Sequence, residues 1–402
     1  MRRLNKEFLV YVIVLCHNSR RWLLECITSL LHTDYANYKI LLVDNASTDG
    51  SVEEISKLYP EIIHIKNKYN CGWCEGNNIG IQYAIEHGAD MVFLSNADVV
   101  FHQSNWLTVL VEAYKNNPLY KILGPVQYNY NNDKLNEWSK YILQNGNKNV
   151  HYMWSQELNR KGKAYTIHEL KSSVLDVYFV QGAAMLIHKD VFDKIGYFDP
   201  LYYIFFDEVD FSRRNLRVGY RIALVPTSKI RHFGSGDNNS NKKMVWRKNF
   251  YYTRNKYFFH LSDYQMNKSI RREILRKWII NDIKDAFFDK NDICGITQML
   301  LVFLQIAIKY PVIHKKRRKE KQMERKIIIE KTIECIKQII PEFTEENMKS
   351  DLNNDFGLDS ISIMELVILI EEKFNLVFDV DVDITQLYSP MFIVKYVSEY
   401  QR

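Results

Sequence analysis

The chain has 402 residues, enough for two or three domains with a sizeable buried core. It is 47% apolar and 25% charged, and its six cysteines, at 16, 26, 71, 74, 294 and 335, are too few and scattered for a disulfide framework. No uninterrupted apolar run reaches the ~18 residues of a spanning helix, so neither a stapled secreted module, nor a membrane span, nor a disordered chain is expected.

The net charge of +6 hides an asymmetry. Residues 324–402 hold 16 acidic and 8 basic side chains of the chain totals of 48 and 54, leaving 32 acidic and 46 basic in 1–323. Opposite signs suggest separate domains with separate partners. The basic part suits phosphate-bearing substrates, anionic lipid or nucleic acid.

Met1-Arg2-Arg3 followed by apolar residues 8–16 has the outline of a signal peptide. No small-residue cleavage site follows, and His17, Asn18, Ser19, Arg20 and Arg21 come next. The β-branched Val10, Val12, Ile13 and Val14 read as a buried first strand. A helix over 20–31 and a strand over 40–43 follow, ending in Asp44-Asn45. Ser51 and Glu54 have capping-box spacing and open the next helix. Then come a strand over 62–65, a helix over 77–87 and a strand over 91–94. This alternation predicts a mainly parallel sheet covered on both faces, with ligands beyond the strands' carboxyl ends, where Asp44 and Asp98 fall.

Residues 125–172, rich in Asn, Lys and Tyr, read as irregular segments with a hairpin or two. Residues 177–187, interrupted by Gln181-Gly182, read as a return strand or strand pair. Residues 243–313 look mostly helical and end in the apolar stretch 299–308. Pro311 and the basic run 314–321 follow. That run reads as a solvated linker; the sharper alternative is a membrane-surface contact, because basic residues beside an apolar helix attract anionic lipid.

The last 79 residues form a distinct unit. Ile329, Ile333, Ile336 and Ile340 make a helical stripe that Pro341 stops. Ile363, Leu366, Val367, Ile370 and Phe374 make another, and Ser389 with Pro390 open a final helix. One apolar stripe per helix implies a small acidic bundle.

Four segments carry chemistry. Asp44 at a strand end accepts hydrogen bonds from a base in one reading; Asp49-Gly50 is explained by an Asx turn into a helix. Asn96 and Asp98 close an apolar strand, as oxygen ligands for a hard cation or as a helix cap. Asp207, Glu208 and Asp210 put three acids in four positions. Asp210 pairs with Arg214 at i, i+4, and Asp207 or Glu208, flanked by aromatics that raise its pKa, is a candidate general base. His232 completes a metal site or is a satisfied lone histidine.

In this order, the segments resemble family-2 glycosyltransferases of the GT-A fold, and within them the rhamnosyltransferase-like members. The matching stretches are 12–18, 42–51, 70–80, Asn96-Ala97-Asp98, 181–185, 196–199, the acidic cluster and His232, covering about residues 8–260. The resemblance implies a nucleoside-diphosphate sugar donor and inversion at the anomeric carbon. Asp44 would read the pyrimidine, with Asn18, Asn45 and the loop residues Asn70, Gly72 and Asn77 near the nucleotide, and Asn96 near the ribose. Asp98, with His232, would bind Mg2+ or Mn2+. Glu208 aligns with the family's usual base. The chain departs from the family where Asn96 replaces an Asp, and where Asp207-Glu208 replaces Glu-Asp, which leaves Asp207 in contention. Cys71 and Cys74 have redox-pair spacing but lie in the expected donor loop, not at a helix start, and are read as coincidence.

Residues 355–374, around Asp359-Ser360, resemble an acyl carrier protein about its phosphopantetheine serine. Ser360 as a mere N-cap is the plain alternative. The resemblance implies 4'-phosphopantetheine on Ser360, attached by a phosphopantetheinyl transferase that docks on the acidic helix.

The expected architecture is therefore an α/β GT-A nucleotide-sugar-binding sheet with helices on both faces (1–260), a helical extension and basic linker (261–322) and a small all-α carrier-protein bundle (323–402). The expected function is inverting, metal-dependent transfer of a sugar from the nucleoside-diphosphate sugar to a hydroxyl acceptor, which is a saccharide or is lipid-linked or carrier-bound. The carrier presents or recruits that acceptor. Nucleic acid is not an expected partner, and the location is cytoplasmic, alternatively peripheral on the inner membrane face. The rival is a catalytically idle GT-A scaffold that recruits the carrier domain to a polysaccharide or lipid biosynthetic complex.

Overall fold

The computed structural model describes residues 7–146, 174–234, 242–266, 268–284, 293–374, 376–378 and 382–400. Two compact units emerge, one of residues 1–260 and 273–308 and one of residues 261–272 and 309–402.

The first unit is built on nine strands: β1 (Val10–Cys16), β2 (Tyr38–Asp44), β3 (Ile63–Lys66), β4 (Met91–Asn96), β5 (Val99–Val100), β6 (Tyr120–Asn129), β7 (Leu175–Asp176), β8 (Ala184–His188) and β9 (Arg221–His232). Their order is β3-β2-β1-β4-β8-β6-β9-β5, with β7 on β9. The half from β3 to β4 is parallel, as the alternating pattern predicts. Beyond β4 the sheet is mixed, because β8 runs antiparallel to both β4 and β6. Val10, Val12, Ile13 and Val14 are fully buried, as are Leu41, Leu42 and Val43. Burial on both faces is why these strands read as unbroken apolar runs. Register aligns Cys16 with Asp44 and Leu15 with Asn96, so one row of carboxyl ends holds three site segments.

Helices α1 (Leu23–Leu31), α2 (Ser51–Leu58), α3 (Gly72–Glu86), α4 (Trp106–Asn116), α5 (Glu137–Asn145), α6 (Asp190–Ile195) and α7 (Asp207–Arg217) connect the strands. The capping box expected at Ser51 does not form. Gly50 is the N-cap in a left-handed conformation, and Ser51 donates its hydroxyl to Asp49 Oδ1 at 2.6 Å. Helix α3 starts five residues before the expected position. It lies close on the sheet because Gly80 has no side chain; a Cβ there would meet Ile13 Cγ2 at 2.7 Å. The stretch expected to be irregular, 125–172, holds the second half of the ten-residue strand β6 and helix α5; residues 147–172 of it lie outside the described residues.

Helices α8 (Lys242–Ser262), α9 (Lys268–Lys284) and α10 (Ile293–Ile336) follow. Within α10, Gly295–Ile336 is long and apolar enough to cross a membrane by length and composition. That corrects the expectation of no such segment: Gln298, Gln305 and Lys309 break the uninterrupted runs without making the stretch polar on average. In the second unit, α11 (Ser360–Phe374), α12 (Ile384–Leu387) and α13 (Pro390–Tyr400) close over a core of Ile336, Phe343, Leu352, Ile363, Leu366 and Val397.

Candidate active site

Asp44 ends β2 and splits its carboxylate between two tasks. Oδ1 accepts the Ser47 N–H at 2.7 Å and fixes the turn, whereas Oδ2 is buried with no protein partner among the described residues. A cavity of about 410 Å³ opens beside Asp44, walled by Val52, Ser56, His64 and Ile65. The His64 Nε2 is likewise unpartnered, and burial lowers its pKa against the opposing pull of Asp44. Asn18, in a left-handed conformation, accepts the Thr48 N–H on its Oδ1 at 2.8 Å, which ties the first loop to the second.

The asparagines expected at the donor knit this wall together. Asn45 Nδ2 donates to Asn70 Oδ1 at 3.1 Å and to the Gly72 carbonyl at 3.0 Å. Its Oδ1 accepts from the Cys71 N–H and from Asn67. Gly72 has φ 90°, and a Cβ there would sit 2.5 Å from the Tyr203 ring. Asn96 accepts from the Trp73 indole N–H at 3.0 Å, and Asn77 donates to the Trp73 carbonyl. Contrary to expectation, Cys71 and Cys74 do stand at a helix start, that of α3. Burial raises both thiols, Cys74 also through the acids at 207, 199 and 208, so neither has the lowered pKa of a reactive thiol.

Pairing of β5 with β9 brings Asp98 to His232, and the Phe233 N–H donates to the Asp98 carbonyl at 3.1 Å. His232 Nε2 lies 3.3 Å from Asp98 Oδ1. Burial alone would raise the Asp98 pKa, but the His232 charge and hydrogen bond, with backbone N–H groups, outweigh it and lower it. One oxygen and one nitrogen donor suit a divalent cation whose remaining positions are filled by diphosphate and water. Among the described residues no group of three or more His, Cys, Asp or Glu could hold a metal by itself.

Asp207 and Glu208 open α7 after a loop in which Tyr203, Phe205 and Phe206 all have positive φ, between 65° and 69°. Such backbone costs of order 1–3 kcal/mol per residue and persists only when its surroundings hold it. Two buried side chains of α8 hold it. Asn255 Nδ2 lies 2.8, 2.7 and 2.8 Å from the carbonyl oxygens of Tyr202, Ile204 and Phe205. Arg254 Nη2 donates to Leu201 and Tyr202. Neither residue was visible as a site residue in the sequence, where both lie inside a helical stretch. Trp73 was missed too; it fills the space over Gly182 and packs edge-on to Phe198.

Burial raises the pKa of Asp207 strongly and that of Glu208 as well, with mutual repulsion adding to Asp207. A hydrogen bond links them, and burial pushes both up, so the pair holds a shared proton to higher pH than free carboxyls do. The arginines of the same helix do not offset this: Arg213 and Arg214 bind Asp210 at 2.7 and 3.0 Å.

In the second unit, Asp359 is the cap of α11. Its Oδ1 accepts the N–H of Ile361 at 3.1 Å and of Ser362 at 2.8 Å. Ser360 is thus relieved of the capping role and is exposed.

Residues 11–196 match the family model described as Glycosyl transferase family 2, and residues 331–389 match that of a phosphopantetheine attachment site. The chain therefore carries a family-2 glycosyltransferase domain followed by a carrier-type domain. Relatives include an uncharacterized glycosyltransferase of Haemophilus influenzae, 32% identical over 26% of this chain and 38% of its own. An N-acetylglucosaminyl-diphospho-decaprenol L-rhamnosyltransferase of Mycobacterium tuberculosis is 24% identical over 48% of this chain and 66% of its own. The chain thus spans less than two thirds of either relative's length. Among solved structures, a mannosyltransferase from Pyrobaculum calidifontis in complex with GDP-Man and Mn2+ superposes with a TM-score of 0.47 at 14% identity, over 84% of this chain and 89% of that one.

Asn255→Ala removes the donor to three loop carbonyls, leaving buried acceptors unsatisfied at about 1–3 kcal/mol. A lower melting temperature and faster proteolysis near residue 204 are expected; an unchanged melting temperature would show that Asn255 does not hold the loop. The raised carboxyls set a pH dependence. The fold favours their neutral forms, so their contribution is present below the ordinary carboxylate range and is lost as pH rises through their raised values. Asp207→Asn should therefore melt higher than the wild type at pH 8, with the advantage shrinking towards pH 4, as calorimetry across that range will read.

Proposed function

We propose that the chain transfers a sugar, with inversion, from a nucleoside-diphosphate sugar to a hydroxyl acceptor. The observation that carries this reading is the Asp207–Glu208 pair. The two carboxyls lie side by side out of water with a shared proton while Arg213 and Arg214 are committed to Asp210, so an ionised Glu208 is desolvated and uncompensated, which is the condition for a general base. Glu208 takes the acceptor hydroxyl proton as the acceptor oxygen bonds to the anomeric carbon. The bond to the diphosphate oxygen breaks with its electron pair, and a single displacement inverts the centre.

The free Asp44 Oδ2 beside its cavity accepts an N–H of the nucleobase. Asp98 and His232 are the residues that would hold Mg2+ or Mn2+, which when bound neutralises charge on the leaving diphosphate. With two protein donors among the described residues, the cation would bind together with the nucleotide. Ser360 accepts 4'-phosphopantetheine from coenzyme A through a phosphopantetheinyl transferase, its oxygen bonding to phosphorus as the diphosphate bond breaks and adenosine 3',5'-bisphosphate leaves, and the arm then carries the acceptor.

The test is a panel of nucleotide sugars with Mg2+ and Mn2+, read by thermal shift and by release of the diphosphate nucleotide. Glu208→Gln should lower turnover by ~10²–10⁴ with little change in donor affinity, while Asp207→Asn, which still donates to Glu208, should lose less. The opposite ranking would move the base to Asp207, and no turnover with any donor would favour an idle scaffold. For the cation, Asp98→Ala should abolish nucleotide-dependent Mn2+ binding in calorimetry; activity that survives exhaustive chelation would refute the metal. For the carrier, coenzyme A and a phosphopantetheinyl transferase should add one discrete mass increment to the wild type and none to Ser360→Ala. Transfer to a free acceptor by Ser360→Ala at the wild-type rate would leave the arm no presenting role.

A further inference from the structure

In the first unit, the start of α10 is amphipathic in the wrong sense for a soluble protein. Ordinarily a helix turns its apolar stripe to the core and its polar face to water. Here the polar side chains face inward. Gln298 donates to the Trp246 carbonyl at 2.6 Å, and Gln305 accepts from Arg254 Nη1 at 3.1 Å. Val302, on that same inner side, is fully buried. The opposite stripe, at spacings of four, is outward: Leu300, Leu304 and Ile308 are 65%, 55% and 62% exposed, and Leu301 is 39% exposed. Exposed apolar residues scattered singly are normal, but a contiguous stripe needs a partner.

We infer that this stripe seats the first unit on the surface of an anionic bilayer, with the part of α10 up to Ile308 lying in the interface. Two observations choose lipid. In sequence, the stripe leads directly into a basic run in which Lys315, Arg318 and Lys319 are exposed, and each such residue adds roughly 1 kcal/mol near an anionic surface. The stripe itself, from Leu300 to Ile308, carries no charged residue. Although the helix is long enough to span, the glutamine contacts argue for lying flat. A spanning segment would have to strip Gln298 and Gln305 from their partners in the sheet unit and place their amides in hydrocarbon. An interfacial helix keeps both and immerses only the leucines.

The test is flotation of the full chain with vesicles of phosphatidylcholine alone and of phosphatidylcholine mixed with phosphatidylglycerol. The wild type should float with the anionic vesicles, and less so as salt rises. The triple variant Leu300→Gln, Leu304→Gln, Ile308→Gln should lose at least about tenfold in partitioning, given the apolar area removed from lipid. Its melting temperature should be unchanged, because all three side chains are exposed. Lys315→Ala with Arg318→Ala and Lys319→Ala should abolish the preference for anionic over neutral vesicles. Failure of the wild type to float, or equal flotation of the triple variant, overturns the inference. So does a wild-type dimer that the triple variant turns into a monomer, without vesicle binding; a second copy would then be what covers the stripe.

Discussion

Taking a carboxylate out of water costs several kcal/mol unless charge or hydrogen bonds replace the lost hydration. The sheet unit does this twice at adjacent positions, Asp207 and Glu208, and gives the nearby cations to a third acid. Asp210, fully buried, collects Arg213, Arg214 and the Tyr202 hydroxyl. With its counter-charge placed there, the first turn of α7 is anchored while the pair ahead of it stays uncompensated. Aromatic residues complete the dry environment, with Phe206 against Tyr252 and Phe259.

An uncompensated pair would relax towards solvent if its loop could move. The left-handed run at 203, 205 and 206 is the backbone's response to that constraint, and Asn255 and Arg254 supply the hydrogen bonds that keep it. Trp73 then couples this half of the site to the strand ends. Its indole donates to Asn96, two residues before Asp98, and the next residue, Cys74, feels the charges of Asp207 and Glu208. Thus the N-terminus of α3 reaches the end of β4 through the Trp73 indole and the loop before the acid pair through the Trp73 and Cys74 N–H groups, which donate to the Tyr203 carbonyl.

Much of this was legible in the sequence where one physical signal dominates. Doubly buried strands announce themselves as apolar runs, and β1, β2 and β4 were read within a few residues. The Asp210–Arg214 spacing and the candidate acids at 207 and 208 were visible for the same reason. Signals failed where two residues compete for one role. Ser51 and Glu54 have capping-box spacing, yet Gly50 takes the cap through its left-handed backbone. Gly72 inside 70–77 suggested a loop, but its positive φ serves a close approach to Tyr203 at the first turn of α3. The mixed half of the sheet was hidden because direction is not written in the composition of a buried strand. Arg254 and Asn255 were hidden because their partners are carbonyls some fifty residues away.

The same competition explains how reactive atoms are kept available. A polar atom in a folded chain is ordinarily claimed by the nearest unsatisfied backbone group. At three candidate positions a neighbour or a second atom absorbs that demand. Asp359 caps α11, so the hydroxyl of Ser360 beside it is not drawn into the helix start. Asp44 closes its turn with Oδ1 and leaves Oδ2 without a protein partner among the described residues, beside the cavity. Asp210 takes Arg213 and Arg214, so these two cations are not spent on the Asp207–Glu208 pair. In each case the structural task falls to a carboxylate oxygen nearby in sequence, which is one use of the acids that occur here in twos and threes. It also explains why a motif read as a block is more informative than any one of its residues: the partner that does the holding is part of the signal.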